Sequence, residues 1–355
     1  MKSPLSKYAF INAKLRTRIS MILTDEFMDR PARAHTLLEA IEQFRGTDYQ
    51  QIETVYDRTG DLKMVEYELF KREIAIHVEM EKYTEGEVLD FISALTTRYE
   101  IETLKQILRL WFDKVVRNRD ITEAYIYLYR EKIHNNLKAN AILETEEPEK
   151  ITSLLSDTPY GAVVKKPLED VSFKKSIFAV EMALDGYFHE QLFRRTEHLS
   201  DTDRETARRL LGVEIDLLNI NLLVRFRNFY KLSMEETLSS LLPHGRSISR
   251  ESLSSLTLES DPAGVLGEVL KRRYPGMSGM LSAQGTDSYS RLIFMERMLD
   301  KILEQEVHKV LAGYPFTIGI ILVYFVLKRA EIRRISTLLN AKYYGIEFDR
   351  IKSSL

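Results

Sequence analysis

The chain has 355 residues, 44% of them hydrophobic, and its 51 basic and 53 acidic side chains leave a net charge of −2 at pH 7. This balance argues against nucleic acid as the main partner, because nucleic-acid-binding domains carry a clear basic excess. The lack of cysteine excludes disulfides, thiolate zinc sites and a cysteine nucleophile, and it is typical of the reducing cytoplasm.

The N-terminal sequence becomes charged and amphipathic within its first residues, so we predict no signal peptide. The longest apolar run lies near the other end, at residues 314–327. As a helix it would extend about 21 Å, which is shorter than the roughly 30 Å of a bilayer core. We therefore predict a buried helix there, no transmembrane segment, and an isolated chain that is soluble and monomeric.

Most of the sequence predicts α-helix, because apolar residues recur at intervals of three and four and alternating strand-like patterns are scarce. One apolar stripe occurs three times at matching positions. Its copies are Ile101, Leu104, Ile107 and Leu108; Leu217, Ile220, Leu223 and Val224; and Ile332, Ile335, Leu338 and Leu339. The repeated feature is thus a packing face, and we predict an all-α fold.

Three motifs recur in the same order along the chain. The first is a glutamate followed three positions later by leucine, and its acids are Glu66, Glu181 and Glu296. The second begins with an acid about 35 residues further on, at Glu100, Asp216 and Glu331. The third is a tyrosine element that precedes both, at Tyr49, Tyr160 and Tyr274. We infer a triplicated helical unit and predict three similar lobes, at residues 1–116, 117–232 and 233–355.

The six repeated acids stand among apolar residues. A carboxylate in such a setting can accept hydrogen bonds from an arginine or from helix-end amides and so fix how helices meet. We favour this structural interpretation. The alternative is that the acids form three equivalent binding groups.

Catalytic and cofactor motifs are scarce. The sequence contains no Gly-x-x-x-x-Gly-Lys-Ser/Thr loop, and the glycines of Gly276-Met277-Ser278-Gly279 predict only a turn. Glu131 and His134 could share a helical face, as in a di-metal bundle, but the second motif that such a bundle needs is missing: Glu304, Glu306 and His308 have a different spacing. We predict no catalytic residue, no cofactor and no metal site.

One acidic cluster leaves a second function open. Asp201, Asp203 and Glu205 could hold magnesium for a diphosphate substrate in an all-helical enzyme. We favour a helix start, in which Ser200 or Asp201 is the cap and the other acids complement the helix dipole. A helical scaffold for some other protein is a third possibility.

Basic residues suggest where an acidic partner would bind. They form two groups in the last third of the chain, and the alternative is ordinary exposed helix charge. The candidates are Lys271, Arg272, Arg273, Lys328, Arg329, Arg333 and Arg334.

Longer motifs connect these features to a known family. They are Tyr8-Ala9-Phe10-Ile11-Asn12-Ala13-Lys14-Leu15-Arg16, Glu214-Ile215-Asp216-Leu217-Leu218-Asn219-Ile220, Pro243-His244-Gly245-Arg246 and Lys328-Arg329-Ala330-Glu331-Ile332-Arg333-Arg334-Ile335. Together with the tyrosine and Glu-x-x-Leu blocks, they resemble the C subunit of the archaeal and bacterial V/A-type rotary ATPases, whose family includes the d subunit of the eukaryotic V-ATPase. The fourth position of the second motif varies between copies, with Thr103 in the first and Arg334 in the third where the second has Asn219.

The resemblance implies a non-catalytic, pseudo-threefold funnel of three similar helical lobes. Such a subunit sits on the membrane rotor ring, at the cytoplasmic face, and receives the foot of the central stalk. Its expected partners are therefore the central-stalk subunits and the rotor ring, and its expected role is the coupling of ATP turnover to proton or sodium transport.

Overall fold

The computed structural model describes residues 3–171, 175–225, 234–249, 251–252, 262–274 and 288–346, without the side chains at 224–225, 234, 239, 262–266 and 288–296. Every regular element in the described ranges is a helix. The prediction of an all-α fold is thereby confirmed.

The helices follow one another in the chain without intervening strands in the described ranges. The first eight are α1 Pro4–Ile19, α2 Asp25–Arg33, α3 Leu37–Glu42, α4 Gln51–Thr59, α5 Leu62–Glu81, α6 Gly86–Val115, α7 Thr122–Tyr125 and α8 Ala139–Glu144. The next eight are α9 Pro148–Leu154, α10 Tyr160–Glu169, α11 Phe178–Thr196, α12 Asp201–Arg225, α13 Met234–Ser239, α14 Pro262–Arg273, α15 Ser288–Ala312 and α16 Gly319–Tyr343.

Local sequence sets several helix ends. Helix α2 begins after Thr24, whose hydroxyl accepts the Phe27 N–H at 3.2 Å, and α5 begins after Asp61, whose carboxylate accepts a backbone N–H in the same way. Side-chain caps of this kind satisfy amides that have no partner within the helix. Helix α4 ends at Thr59, and the next residue, Gly60, has a left-handed φ of 63° that glycine adopts without strain.

Two compact units divide the chain. The larger one consists of Ala9–Glu181 and Val323–Leu355. One of its apolar clusters joins helices α2 to α5 with the C-terminal helix α16 and includes Met28, Phe44, Val65, Ile335 and Leu338. The N-terminal part of the sequence therefore shares a core with its C-terminal helix.

The other compact unit consists of Met1–Tyr8 and Met182–Leu322. Its apolar cluster joins α12, α14 and α15 and includes Val213, Ile220, Leu270, Leu299 and Ile302. The loop residue Ile248 packs into the same cluster and is fully buried. This unit thus holds the segment around residue 248 against helix α12.

The central part of the apolar run at residues 314–327 is buried, as the sequence predicts, whereas Tyr314 at its start is 59% exposed. Ile318 and residues 320–325 are each at most 5% exposed, and α16 begins within the run. In the part of the chain that the structure describes, no helix combines the length and apolarity needed to cross a membrane.

Candidate functional site: the buried carboxylate joints

The acids of the second motif are buried and hold distant segments together, and we call each such arrangement a joint. Glu100, on α6, is 1% exposed. Its Oε2 accepts the backbone N–H groups of His134 and Asn135 at 2.8 and 2.7 Å. Its Oε1 accepts the Asn135 side-chain amide at 2.6 Å and the Tyr160 hydroxyl at 2.5 Å. The Glu100 joint therefore fastens α6 to a turn and to the start of α10.

Glu331, on α16, makes an equivalent joint in the same compact unit. It is 3% exposed and accepts the Leu23 N–H at 2.6 Å, the Tyr49 hydroxyl at 2.5 Å and the Lys328 amine at 2.8 Å. Lys328 also donates to Asp48 at 3.1 Å. Because burial and the nearby carboxylate disfavour the phenolate, the pKa of Tyr49 is raised, and its hydroxyl stays a donor.

Asp216, on α12, holds a turn of the other compact unit. Its carboxylate is fully buried and accepts the N–H groups of Ser247 and Ile248, each at 2.8 Å. Burial raises the pKa of Asp216 to about 7, although these two amides act in the opposite direction. Asn219 lies three residues after Asp216 on the same helix, and its side chain accepts the Leu242 N–H at 2.8 Å. It also donates to the carbonyl oxygens of Leu242 and Ile248, the first and last residues of the turn 242–248.

The turn fits tightly against α12. A Cβ atom placed on Gly245 would lie 2.3 Å from the carbonyl oxygen of Ile248 and 2.6 Å from Oδ1 of Asp216. Only glycine fits there without displacement of the backbone, which explains the glycine of the Pro-His-Gly-Arg motif.

The acids of the first motif also have partners at repeated positions. Glu66 accepts the side-chain amide of Asn340 at 2.5 Å, and Glu181 is paired with Arg109. Asn340 stands nine residues after Glu331, and Arg109 stands nine residues after Glu100. In both pairs, the first-motif acid thus contacts the helix that carries a joint.

The third pair falls on undescribed side chains. By the same count, Arg225 follows Asp216 by nine residues. The side chains of Arg225 and Glu296 lie outside the described residues.

The basic candidates differ in exposure. Lys328 is 2% exposed and serves the Glu331 joint, and Arg329 donates to Glu73 at 3.0 Å. Arg334 is bound to Asp25 at 2.6 Å, and Lys271 to Glu268 at 2.8 Å. The side chains that face solvent are Arg272, Arg273 and Arg333.

The acidic cluster does not converge on one point. Asp203 is 3% exposed and accepts the Tyr8 hydroxyl, the Ser200 hydroxyl and the Ile318 N–H at 2.8 to 2.9 Å. Asp201 is exposed and pairs with Arg204, and Glu205 is also exposed. Ser200 caps α12 through the Asp203 N–H, at 3.4 Å. Asp203 is therefore a structural carboxylate much like the joints.

His134 has a carboxylate partner. Its Nε2 lies 3.0 Å from Glu81, and this hydrogen bond raises the pKa of His134 although partial burial opposes it. Within the described residues, no group of three or more His, Asp or Glu side chains could hold a metal ion. The Gly276-Met277-Ser278-Gly279 stretch lies outside the described residues.

These contacts define an all-α protein whose repeated acids hold its helices together. A model of the ATP synthase (C/AC39) subunit family matches residues 11–354. The chain belongs to this family, and the predicted membership is confirmed.

Several curated relatives cover nearly the whole chain. The protein of Methanocaldococcus jannaschii is 21% identical over 355 residues, which are 99% of this chain and 86% of the relative. That of Methanosphaera stadtmanae is 21% identical over 94% of this chain and 84% of its own. That of Haloferax volcanii is 22% identical over 98% and 96%. Each of the three is named as the C subunit of an A-type ATP synthase.

Proposed function

We propose that this chain is the non-catalytic central-stalk subunit of a V/A-type rotary ATPase. In this role it is the socket that couples the rotating stalk to the membrane rotor ring, and so links ATP turnover to the transport of protons or sodium ions. It acts as a peripheral protein on the cytoplasmic face of the membrane. Its partners are the central-stalk subunits and the rotor ring.

The observation that carries the proposal is the set of buried joints in a member of this family. A coupling part has to transmit torque without deforming. Each joint fixes a helix to the backbone of a segment distant in sequence, and its hydrogen bonds lie in a low-dielectric interior, where breaking them is costly. The dense helical packing around the joints adds stiffness.

The proposal includes the three-lobed architecture with boundaries after residues 116 and 232. The joints support it, because the acid of one copy of the repeat works with the tyrosine of the next: Glu100 with Tyr160, and Glu331 with Tyr49. Among the basic candidates, the exposed Arg272, Arg273 and Arg333 are proposed as contacts with an acidic partner.

The test is reconstitution of the complex in vesicles with and without this protein. Vesicles that lack it should lose ATP-driven ion uptake while the head still hydrolyses ATP, and purified protein added back should restore the uptake. Ion pumping that persists at the original rate in stripped vesicles would contradict the proposal.

A further inference from the structure

Glu306, on helix α15, is a buried carboxylate outside the repeated motifs, and three basic side chains converge on it. It is 3% exposed. The Nε of Arg209, on α12, lies 2.7 Å from its Oε2. The amine of Lys309 lies 3.0 Å from its Oε1, and Nη1 of Arg246, from the turn at residues 242–248, lies 3.5 Å from the same atom. We call Arg209, Arg246 and Lys309 the cationic triad, and all of it belongs to one compact unit.

The triad carries more positive charge than its surroundings neutralise. Within the described residues, Glu306 is the only carboxylate that forms ion pairs with it, so three cations face one anion. The exposed Glu304 lies opposite His308 instead, at 3.8 Å. The charge of Asp216 also acts on Arg246, but burial raises the pKa of Asp216 to about 7, so its carboxyl is partly protonated at neutral pH. The result is a local positive excess in a chain whose net charge is −2.

The outer parts of the triad are accessible to a ligand. The side chains of Arg209, Arg246 and Lys309 are 33%, 22% and 60% exposed. Neither guanidinium makes a hydrogen bond through the nitrogen that faces Glu306 in the described part of the chain, so both contacts are ion pairs only. The remaining Nη groups keep donors that can bind a carboxylate in a forked arrangement. Because Glu306 already holds the cations in place, a second acid would order them at a low entropic cost.

The positive surface continues beyond the triad. The guanidinium of Arg246 lies 6.0 Å from the centre of the Tyr274 ring. Tyr274 directly follows Arg272 and Arg273, which are exposed at the end of α14. The cations therefore extend over a larger area than one small anion would cover, and such a surface fits a segment with several acidic side chains.

We propose that the cationic triad binds an acidic segment of a partner protein, with an Asp or Glu carboxylate of that segment placed against Arg209 and Arg246. Lys309 and the α14 arginines bind the neighbouring acids of the segment. Glu306 is the positioning residue that keeps the cations together. The inference rests on the proposed function, which supplies a central-stalk subunit as the partner, and it deepens that function by naming the contact residues and the chemistry they recognise.

Binding of a fluorescent decaglutamate peptide to the full chain, read by anisotropy, tests the site without the rest of the complex. The double variant Arg209→Gln/Lys309→Gln should raise the Kd of the peptide at least tenfold at about 50 mM salt and by less than about threefold at about 500 mM, because salt screens exposed charges. The matched control is Arg208→Gln/Lys301→Gln, which removes the same charge from exposed positions of the same two helices. It should change the Kd by no more than about twofold.

The variant Lys309→Gln alone provides a second reading, because it removes only a side chain at the edge of the site. It should raise the Kd about threefold. Equal effects of the two double variants would overturn the proposal, as would displacement of the peptide by inorganic phosphate at a matched concentration of charge, since the site would then be one for small anions.

The same variants, titrated with the purified central-stalk subcomplex, separate this inference from the proposed function. A subcomplex that binds the unmodified chain and the triad variant equally well would overturn the inference and leave the coupling role intact. Peptide binding that depends on the triad, without any binding of the subcomplex, would support the acidic-segment site and contradict the coupling role.

Discussion

Tyr49 and Glu331, 282 residues apart in the sequence, share a buried hydrogen bond of 2.5 Å. The same carboxylate accepts the Leu23 N–H, so the C-terminal helix α16 holds two segments from the beginning of the chain. The Glu100 joint has the same design over a shorter interval. Within this compact unit, the last copy of the repeated acid therefore accepts a hydrogen bond from the first copy of the repeated tyrosine.

The Glu331 joint should make a large contribution to stability. We expect Glu331→Gln to lower the free energy of unfolding by about 3 kcal/mol, the lower end of the range for a broken buried pair, because Asp48 still faces Lys328. Tyr49→Phe, which removes one hydrogen bond to a charged group, should cost about 1.5–3 kcal/mol. Urea unfolding measures both.

The control for these variants is Tyr344→Phe at an exposed tyrosine of the same unit. It should change the free energy of unfolding by no more than about 0.5 kcal/mol. If Tyr49→Phe changed the free energy of unfolding as little as this control, the hydrogen bond between Tyr49 and Glu331 would contribute nothing measurable to stability.

Gly245 should tolerate no side chain. We expect Gly245→Ala to destabilise the unit that contains it by about 2 kcal/mol or more, because its Cβ meets backbone and carboxylate oxygens. Gly186→Ala is the matched control in the same unit, on helix α11, where a Cβ has no atom within 4 Å. It should be neutral or stabilising by up to about 1 kcal/mol. Thermal unfolding of the pair checks this, and equal melting temperatures would contradict it.

The acidic cluster offers a clear contrast between burial and exposure. Asp203→Ala should destabilise the protein by about 2–4 kcal/mol, because the N–H of Ile318 and the hydroxyl of Tyr8 lose their acceptor. Asp201→Ala and Glu205→Ala should each change stability by no more than about 0.5 kcal/mol. Calorimetric titration with Mg²⁺ should give no saturable binding to the unmodified protein. Tight binding that the three variants abolish would favour the enzyme alternative.

Asp216 should make stability fall as pH rises towards neutral. Its pKa is raised from 3.8 to about 7 in the folded protein, mainly by burial, while the amides of Ile248 and Ser247 and the charge of Arg246 act against the shift. The stabilisation from the retained proton is complete below pH 3.8 and is lost as pH rises through about 7. Between about pH 5 and 7, unfolding releases this proton, so the free energy of unfolding falls by about 1.4 kcal/mol per pH unit.

The neutral variant Asp216→Asn isolates this effect. Urea unfolding of both proteins at pH 5, 6, 7 and 8 should give a difference in stability that shifts in favour of the variant as pH rises and levels off above about pH 8. A difference that is constant over this range would contradict the prediction.

Several features could be predicted from the residues alone. The three- and four-residue intervals of apolar side chains indicated helices, and the recurrence of Glu100, Asp216 and Glu331 marked positions that are all buried. Ser200 before three closely spaced acids indicated the start of α12. The tight position of Gly245 was missed, although its place in a Pro-His-Gly-Arg turn was a usable signal.

Other features depended on which segments meet in space. The basic residue Lys328 stood in a predicted partner surface, but the fold places its amine between Asp48 and Glu331. Asp201, Asp203 and Glu205 follow one another at intervals of two residues, but only Asp203 is buried. Charge and spacing give a side chain its chemistry, whereas its neighbours from distant parts of the chain decide whether it faces solvent or a buried partner.

The sequence by itself determined the helical content and the repeated positions, because helix periodicity and capping depend on residues within a few positions of one another. Only the tertiary structure decided the pairing, that is, Tyr160 with Glu100, Tyr49 with Glu331, and no such bond for Tyr274 in the described part of the chain. The physical reason is that a hydrogen bond forms over about 3 Å. Which tyrosine comes that close to which acid is set by the packing of whole helices.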